Sequence, residues 1–268
     1  MKGIRLDQYL FDNGFTPSRE RARAIIMAGI VYVNNEKADK AGTPVPEGAT
    51  IEVRGKDLAY VSRGGLKLEK ALADFSIALA GKVCMDIGAS TGGFTDCMLQ
   101  NGAKQVVAVD VGYGQLAWKL RCDERVVNKE RTNIRSLNRE NFPYEIDFFS
   151  VDVSFISLKH IFPVAAQICA PQAEGVCLVK PQFEAGRDKV GKKGVVREAE
   201  THQQVIEAAQ QYAIAAGFTP VGLSFSPIKG PEGNIEFLLH VQNKGNLTAL
   251  EAPQIADVVG QAHQQLAN

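Results

Sequence analysis

From residue 60 onward, the chain alternates between strand-like and helix-like segments, and this alternation limits the possible folds more than any other feature. The strand-like segments are short apolar runs, separated by stretches in which apolar residues recur at helical spacing. They lie at 83–85, 105–109, 146–151 and 175–179. Apolar runs joined through helices are typical of a parallel sheet that is covered by helices on both faces. The sequence therefore predicts an α/β fold with a doubly wound sheet over residues 61–268.

The last part of this region breaks the alternation. A predicted helix at 198–216 is followed by strand candidates at 220–225 and 235–241, which are joined by a turn rich in proline and glycine. Such a turn is too short for a parallel crossover, so these strands are expected to form an antiparallel pair at one edge. These six strand candidates resemble a Rossmann-like sheet of seven strands that ends in such an antiparallel pair. An amphipathic helix is predicted at 250–267.

Residues 1–55 predict a separate, compact α+β unit, which a polar linker at 56–60 connects to the larger domain. Two helices and two strands are expected in it, at 6–13, 17–28, 30–33 and 50–53. Thr16 is expected to cap the second helix. In that helix Arg19 and Arg23 are four residues apart and share a face, which either binds phosphates or is simply solvated.

A glycine-rich loop follows the first strand of the predicted sheet and leads into a helix, a position where ligands approach the backbone closely. Its spacing differs from the G-x-G-x-x-G of dinucleotide enzymes. With Asp86 at the strand end and Asp110 ending the next strand, it resembles the methyltransferase loop, in which Asp110 would accept hydrogen bonds from a nucleoside ribose. A packing turn is the alternative. The expected cofactor contacts are Asp86, Gly88, Ala89, Ser90, Thr91, Gly92, Gly93, Phe94, Asp110 and Asp152.

Four ionisable residues stand at the ends of predicted elements, each beside apolar neighbours: Lys67, Asp152, Lys180 and Glu236. Because the carboxyl ends of parallel strands converge, Asp152 and Lys180 should lie beside the glycine-rich loop. Glu236 would enter from the same edge. Each could merely form an ion pair or cap an element, but a lysine that follows a strongly apolar strand needs a reason to be buried.

Several motifs resemble known families. The segments 5–10, 18–22 and 28–34 resemble the RNA-binding fold named after small-subunit ribosomal protein four, the S4 fold. The ordered set Lys67, Asp152, Lys180, Glu236 is similar to the Lys-Asp-Lys-Glu tetrad of the FtsJ-like ribose 2′-O-methyltransferases. With the further motifs at 62–68, 147–157 and 180–197, nearly the whole chain resembles the TlyA/hemolysin A family of rRNA methyltransferases.

This resemblance implies a function and a set of roles. The methyl donor would be S-adenosyl-L-methionine, the acceptor a cytidine 2′-hydroxyl in ribosomal RNA, and the partners ribosomal subunits. Lys180 would be the base, and Asp152, Lys67 and Glu236 would position it and the hydroxyl. The expected RNA contacts are Arg5, Arg19, Arg23, Arg63, Arg187, Lys189, Lys192 and Lys193. The last four belong to a cationic, glycine-rich loop that could close over RNA.

Composition narrows the alternatives. The formal net charge is zero, so any RNA-binding surface must be local. The four histidines and five cysteines lack metal-ligand spacing, and we expect no metal. No apolar run approaches the roughly 18 residues that a membrane span needs, so we expect no membrane partner and a cytoplasmic location. A membrane-active cytolysin and a non-catalytic ribosome-assembly factor remain the alternative functions.

Overall fold

The structure is a computed structural model that describes residues 3–54, 59–243 and 248–266. Most of the predicted linker, 56–58, therefore lies outside the described residues. The boundaries 1–55 and 61–268 stay predictions.

The N-terminal unit contains two helices and a small antiparallel sheet. Its elements are α1 (Leu6–Asp12), α2 (Arg19–Met27), β1 (Val31–Val33), β2 (Glu36–Ala38) and β3 (Ile51–Val53). The strand order is β2-β1-β3. Leu6, Leu10 and Ile26 are fully buried between the helices and the sheet. The predicted α+β unit is thus present, with one more strand than expected.

Two local details differ from the sequence predictions. Ser18 caps α2, because its side chain accepts a hydrogen bond from the Arg21 N–H. The Thr16 cap was wrong, since that hydroxyl donates to the Ser18 carbonyl. Strand β2 was missed because it is short and mostly polar. It pairs with β1 across a turn in which Asn34 and Asn35 both adopt positive φ, a conformation that asparagine tolerates.

The larger domain is built on a seven-stranded sheet with the order β6-β5-β4-β7-β8-β10-β9. Its strands are β4 (Val83–Ile87), β5 (Gln105–Val109), β6 (Val126–Lys129), β7 (Ile146–Val151), β8 (Cys169–Val179), β9 (Thr219–Phe225) and β10 (Phe237–Gln242). Its helices are α3 (Gly64–Asp74), α4 (Gly93–Gln100), α5 (Trp118–Arg121), α6 (Phe162–Ile168), α7 (Pro181–Glu184), α8 (Ala199–Ala215) and α9 (Ala252–Leu266). The pairs among β4–β8 are parallel, whereas β10 is antiparallel to both neighbours. The predicted fold class is confirmed.

Both faces of this sheet are covered by apolar clusters, which explains the nearly continuous apolar strands. Phe149 and Phe162 belong to the cluster on one face, and Leu68 and Phe148 to the cluster on the other. The chain order reverses at β4, which has β5 on one side and β7 on the other. In such sheets a ligand crevice lies beyond the carboxyl ends of the strands at this reversal point. Within the described ranges, no helix is long and apolar enough to cross a bilayer.

A buried carboxylate ties the N-terminal unit together. The Asp7 side chain is fully buried and accepts hydrogen bonds from Arg5 at 2.9 Å, Arg19 at 3.1 Å and Arg23 at 3.0 Å. Burial alone would raise the pKa of Asp7, but the three guanidinium groups hold it well below its ordinary value. The ionised form is therefore favoured by folding.

We expect Asp7→Asn to lower the stability of the N-terminal unit by about 2 kcal/mol at pH 7, because the guanidinium groups lose their shared acceptor. Because the folded-state pKa is depressed, this contribution to stability is fully present above the ordinary carboxyl pKa of about 4. It is lost progressively as the pH falls from there through the folded-state pKa of Asp7. Hydrogen exchange of α1 and α2 in the full chain measures the effect. The exposed carboxylate of Asp12, on the same helix, gives the control Asp12→Asn. Equal protection in the two variants at pH 7 would contradict the prediction.

Candidate active site

Four elements bring the predicted reactive residues to one place at the carboxyl edge of the sheet. Lys67 lies on α3, Asp152 follows β7, Lys180 follows β8, and Glu236 precedes β10. The exposed fractions are 7% for Lys67, 8% for Lys180 and 1% for Glu236. The Asp152 side chain is 21% exposed, so the cluster opens to solvent mainly at this carboxylate.

The four side chains form a chain of alternating charge. The Nζ atom of Lys67 lies 2.5 Å from Glu236 Oε2 and 3.9 Å from Asp152 Oδ2. The Nζ atom of Lys180 lies 2.5 Å from Asp152 Oδ1 and 3.3 Å from the Ser154 hydroxyl oxygen. In the described part of the chain, Lys67 therefore pairs with two carboxylates and Lys180 with one. The two lysines are not equivalent.

Lys67 and Asp152 are the two inner members of this charge chain, and their neighbours favour the charged form of each. Burial lowers the pKa of Lys67, but Asp152 and Glu236 raise it more, so its pKa lies above the ordinary value. Burial raises the pKa of Asp152, but Lys67 and Lys180 lower it more, so its pKa lies below the ordinary value. These shifts favour the ammonium form of Lys67 and the carboxylate form of Asp152, which joins the two lysines.

The glycine-rich loop is in direct contact with this cluster. Gly88 follows β4 with a φ of +90°, and a Cβ atom there would lie 2.5 Å from the Asp152 carbonyl oxygen. The Asp152 N–H in turn donates to the carbonyl oxygen of Ile87 at 2.9 Å. Glycine is required at position 88 both for its conformation and for this close approach. A ligand in the loop would therefore lie beside the reactive groups.

Asp110 stands at the end of β5, on the other side of the loop. Its Oδ2 accepts a hydrogen bond from the Ser90 N–H and its Oδ1 from the Gly112 N–H, both at 2.7 Å. The carboxylate is half-buried, and Ser90 is exposed. This fixes the orientation of an acidic group at the rim of the crevice, as recognition of a ribose diol requires.

Asp86 has a different environment from the one expected. It is fully buried and accepts hydrogen bonds from the Thr95 N–H at 2.9 Å, the Thr95 hydroxyl at 2.7 Å and the Ser150 hydroxyl at 3.0 Å. Burial raises the pKa of Asp86 to about 6. These bonds attach α4 and β7 to the end of β4, so Asp86 shapes the loop from beneath. Its direct contact with a cofactor stays a prediction.

The remaining loop residues are placed by packing around the start of α4. Gly92 is the N-cap of this helix with a φ of +93°, and the Gly93 backbone lies against Ser62. Thr91 accepts a backbone hydrogen bond from Ala117. Ala89 is 7% exposed, and the Phe94 ring, 3% exposed, packs in the core. Phe94 can therefore face a ligand only through its backbone.

The sequence reasoning missed Phe155, three residues after Asp152. Its side chain is 91% exposed, its φ is +64°, and its ring centroid lies 5.0 Å from that of Phe183. An exposed aromatic ring in a rare backbone conformation beside reactive groups is a candidate ligand contact. Apolar periodicity carries no signal for such a residue, because it lies in a turn.

The residues predicted to bind RNA fall into three groups. Arg5, Arg19 and Arg23 share the Asp7 carboxylate, with side chains 53%, 40% and 54% exposed, so their cluster keeps a surplus of positive charge. Arg63 precedes α3 and is half-buried. In the cationic loop Lys189 and Lys193 are exposed, whereas the side chains of Arg187 and Lys192 lie outside the described part of the structure. Their contacts with RNA stay predictions.

Comparison with known proteins agrees with this geometry. The FtsJ-like methyltransferase family matches residues 60–243, and the S4 domain matches residues 4–51. The chain is 52% identical to a Bacillus subtilis protein named as a candidate rRNA methyltransferase, over 99% of this chain and 96% of that protein. It is 42% identical to TlyA of Mycobacterium tuberculosis, named 16S/23S rRNA (cytidine-2′-O)-methyltransferase, over 96% of each chain.

Two further relatives carry a different name. Hemolysin A of Brachyspira hyodysenteriae is 46% identical over 88% of this chain and 99% of its own length. A solved structure named as a candidate hemolysin from Streptococcus thermophilus is 47% identical, with a TM-score of 0.81 over 100% of this chain and 98% of that one. The methyltransferase match spans the sheet and all four members of the charge chain. The chain therefore belongs to the FtsJ-like methyltransferase family and carries an S4 domain on the N-terminal side of its catalytic domain.

Proposed function

We propose that this enzyme transfers a methyl group from S-adenosylmethionine to the ribose 2′-hydroxyl of a cytidine in ribosomal RNA. The observation that carries the proposal is the charge chain Glu236–Lys67–Asp152–Lys180, in which Asp152 contacts the glycine-rich loop through its backbone and pairs with the Lys180 amine through its carboxylate. The Mycobacterium tuberculosis relative is named for the same reaction, 2′-O-methylation, on the same nucleoside, cytidine.

The residues around the loop fit S-adenosylmethionine. The Asp110 carboxylate is oriented at the rim of the crevice by Ser90 and Gly112 and can accept hydrogen bonds from a ribose diol. Gly88 packs directly against the backbone of Asp152, which holds the loop next to the charge chain. S-adenosylmethionine supplies an electrophilic methyl group on a positively charged sulfur. The acidic neighbours at this site are compatible with that charge.

The charge chain supplies what a weak nucleophile requires. A ribose hydroxyl is mostly protonated at neutral pH, so transfer benefits from a base within hydrogen-bond reach. In our proposal the Lys180 amine first releases its own proton to solvent and would then take the proton of the ribose hydroxyl, as that oxygen accepts the methyl group that S-adenosylmethionine would supply. Asp152 holds this amine in place and stabilises the ammonium group that forms. Lys67, paired with Glu236, keeps Asp152 ionised.

RNA recognition is assigned to surfaces on both domains. The arginine cluster around Asp7 would hold phosphates, and the exposed cations Lys189 and Lys193 would close over the strand near Lys180. The exposed ring of Phe155 can stack on the target base once that base leaves its helix. An rRNA substrate supports a location in the cytoplasm, where ribosomes are assembled.

The two other functions explain less of the structure. A cytolysin accounts for the names of two relatives but gives no role to the charge chain. Leakage of liposomes caused by the purified protein would support the cytolysin function. A non-catalytic assembly factor needs the S4 domain but no oriented Asp110 and no paired Lys180. Calorimetric titration with S-adenosylmethionine separates that function from catalysis, since a pure binder would show no heat of cofactor binding.

Lys180→Ala is expected to lower the rate of methyl transfer by about 10²–10⁴-fold, because the hydroxyl loses its proton acceptor. The dissociation constants for S-adenosylmethionine and RNA should change little. Transfer of a labelled methyl group to rRNA measures the rate, and mapping of 2′-O-methyl positions identifies the product. Lys104→Ala is the matched control, since this exposed lysine directly precedes β5 and lies at the amino ends of the strands, opposite the site. Transfer by the Lys180 variant at the wild-type rate would remove this residue from the role of base.

Asp110→Ala is expected to weaken S-adenosylmethionine binding by about 10- to 100-fold, since charge-assisted hydrogen bonds to a ribose diol are lost. The affinity of Asp110→Asn should lie between those of the wild-type protein and Asp110→Ala, because its amide oxygen can still accept a hydrogen bond. Calorimetric titration measures both. The control is Asp257→Ala on α9, an exposed carboxylate far along the chain from the crevice. Unchanged affinity in both Asp110 variants would place the ribose elsewhere.

A further inference from the structure

We propose that Glu184 is a positioning residue, whose carboxylate holds the turn at residues 154–158 so that Phe155 is presented beside Lys180. This Phe155 turn joins the end of the Asp152 segment to the turn of helix before α6. The inference rests on the proposed function, because it is the proposed RNA substrate that gives the ring its use.

The Phe155 turn needs an external restraint. A φ of +64° is unfavourable for a residue with a bulky side chain. The ring is 91% exposed, so burial of apolar surface contributes little to offset this cost. A strained conformation of this kind persists only when neighbouring groups fix it. Burial of Leu158 in the core and the contact with Phe183 hold part of the turn, and hydrogen bonds to the rest of the turn supply further restraint.

Glu184 provides these bonds with both of its oxygen atoms. Its Oε2 accepts from the Ser157 hydroxyl at 2.6 Å, and its Oε1 accepts from the Leu158 N–H at 2.8 Å. The side chain is half-buried, and burial raises the pKa of Glu184. A partly desolvated carboxylate with two short hydrogen bonds is a stronger restraint than an exposed one. Among the described residues, no other hydrogen bond joins Ser157 or Leu158 to α7.

Helix α7 thereby grips the Phe155 turn at two points. Lys180, at the start of this helix, lies 3.3 Å from the Ser154 hydroxyl, and Glu184, at its end, holds Ser157. Between them the rings of Phe183 and Phe155 pack at 5.0 Å. The same short helix thus fixes the proposed base and the exposed ring relative to each other. In the described part of the chain, no hydrogen bond joins Glu184 to the glycine-rich loop, so cofactor binding should not depend on it.

The first test compares two substitutions at this position. Glu184→Ala should lower kcat/KM for the RNA substrate by about 10-fold or more, within the range of one lost base–aromatic stack, at unchanged affinity for S-adenosylmethionine. Glu184→Gln should restore activity to within about 3-fold, because the amide can still bond to both Leu158 and Ser157. Glu207→Ala, at an exposed glutamate on α8, is the control. Wild-type activity of Glu184→Ala would overturn the inference.

A double-mutant cycle with Phe155→Ala separates positioning from a general loss of structure. If Glu184 acts through the ring, Glu184→Ala should change activity by less than about 2-fold in the Phe155→Ala background. An equal fold-loss in both backgrounds would overturn the inference. If thermal unfolding shows that Glu184→Ala does not fold, Ser157→Ala replaces it in the cycle. Its expected loss of activity is smaller, and this loss should also disappear in the Phe155→Ala background. Absence of methyl transfer by the wild-type protein would instead refute the proposed function.

Discussion

The catalytic domain depends on the pairing of four charged groups, of which Lys67, Lys180 and Glu236 are buried and Asp152 is partly exposed. Removing a lysine or a carboxylate from water costs several kcal/mol unless an opposite charge and hydrogen bonds compensate it. Glu236, Lys67, Asp152 and Lys180 compensate one another in sequence, and only at the point where α3, β7, β8 and β10 meet. Any rearrangement that separates one element leaves a charge unpaired. The geometry that the proposed chemistry needs is therefore also the geometry in which burial is tolerated.

The same rule operates in the N-terminal domain, but there positive charge is left in excess. There one buried carboxylate, Asp7, gathers three guanidinium groups that remain about half exposed. Arginines held in this way lose less conformational freedom when they meet a phosphate than freely rotating ones would. A protein with zero net charge can thus concentrate positive charge locally. In the catalytic domain the charges cancel, which permits burial, whereas the N-terminal cluster keeps a surplus of positive charge at the surface.

Much of this arrangement was predictable, because it follows from patterns that span many residues. The apolar runs that became β4, β5, β7 and β8 marked the parallel sheet, and the turn between β9 and β10 marked its antiparallel edge. Strand β6 was missed because only its first two residues are apolar. The convergence of Lys67 with Glu236, separated by most of the domain, was expected from resemblance. Spacing alone allowed it but did not require it.

What the sequence did not reveal depends on contacts that have no local signature. Asp86 and Asp110 look alike as acidic residues at strand ends, yet the first is saturated by Thr95 and Ser150 while the second faces the rim of the crevice. Their positions across the sheet distinguish them: the Asp86 carboxylate, at the end of the central strand β4, lies beneath the helix that follows, whereas Asp110, at the end of β5, stays partly exposed and is oriented by Ser90 and Gly112. The same residue type is therefore a buried structural anchor at one strand end and an accessible acceptor at the next.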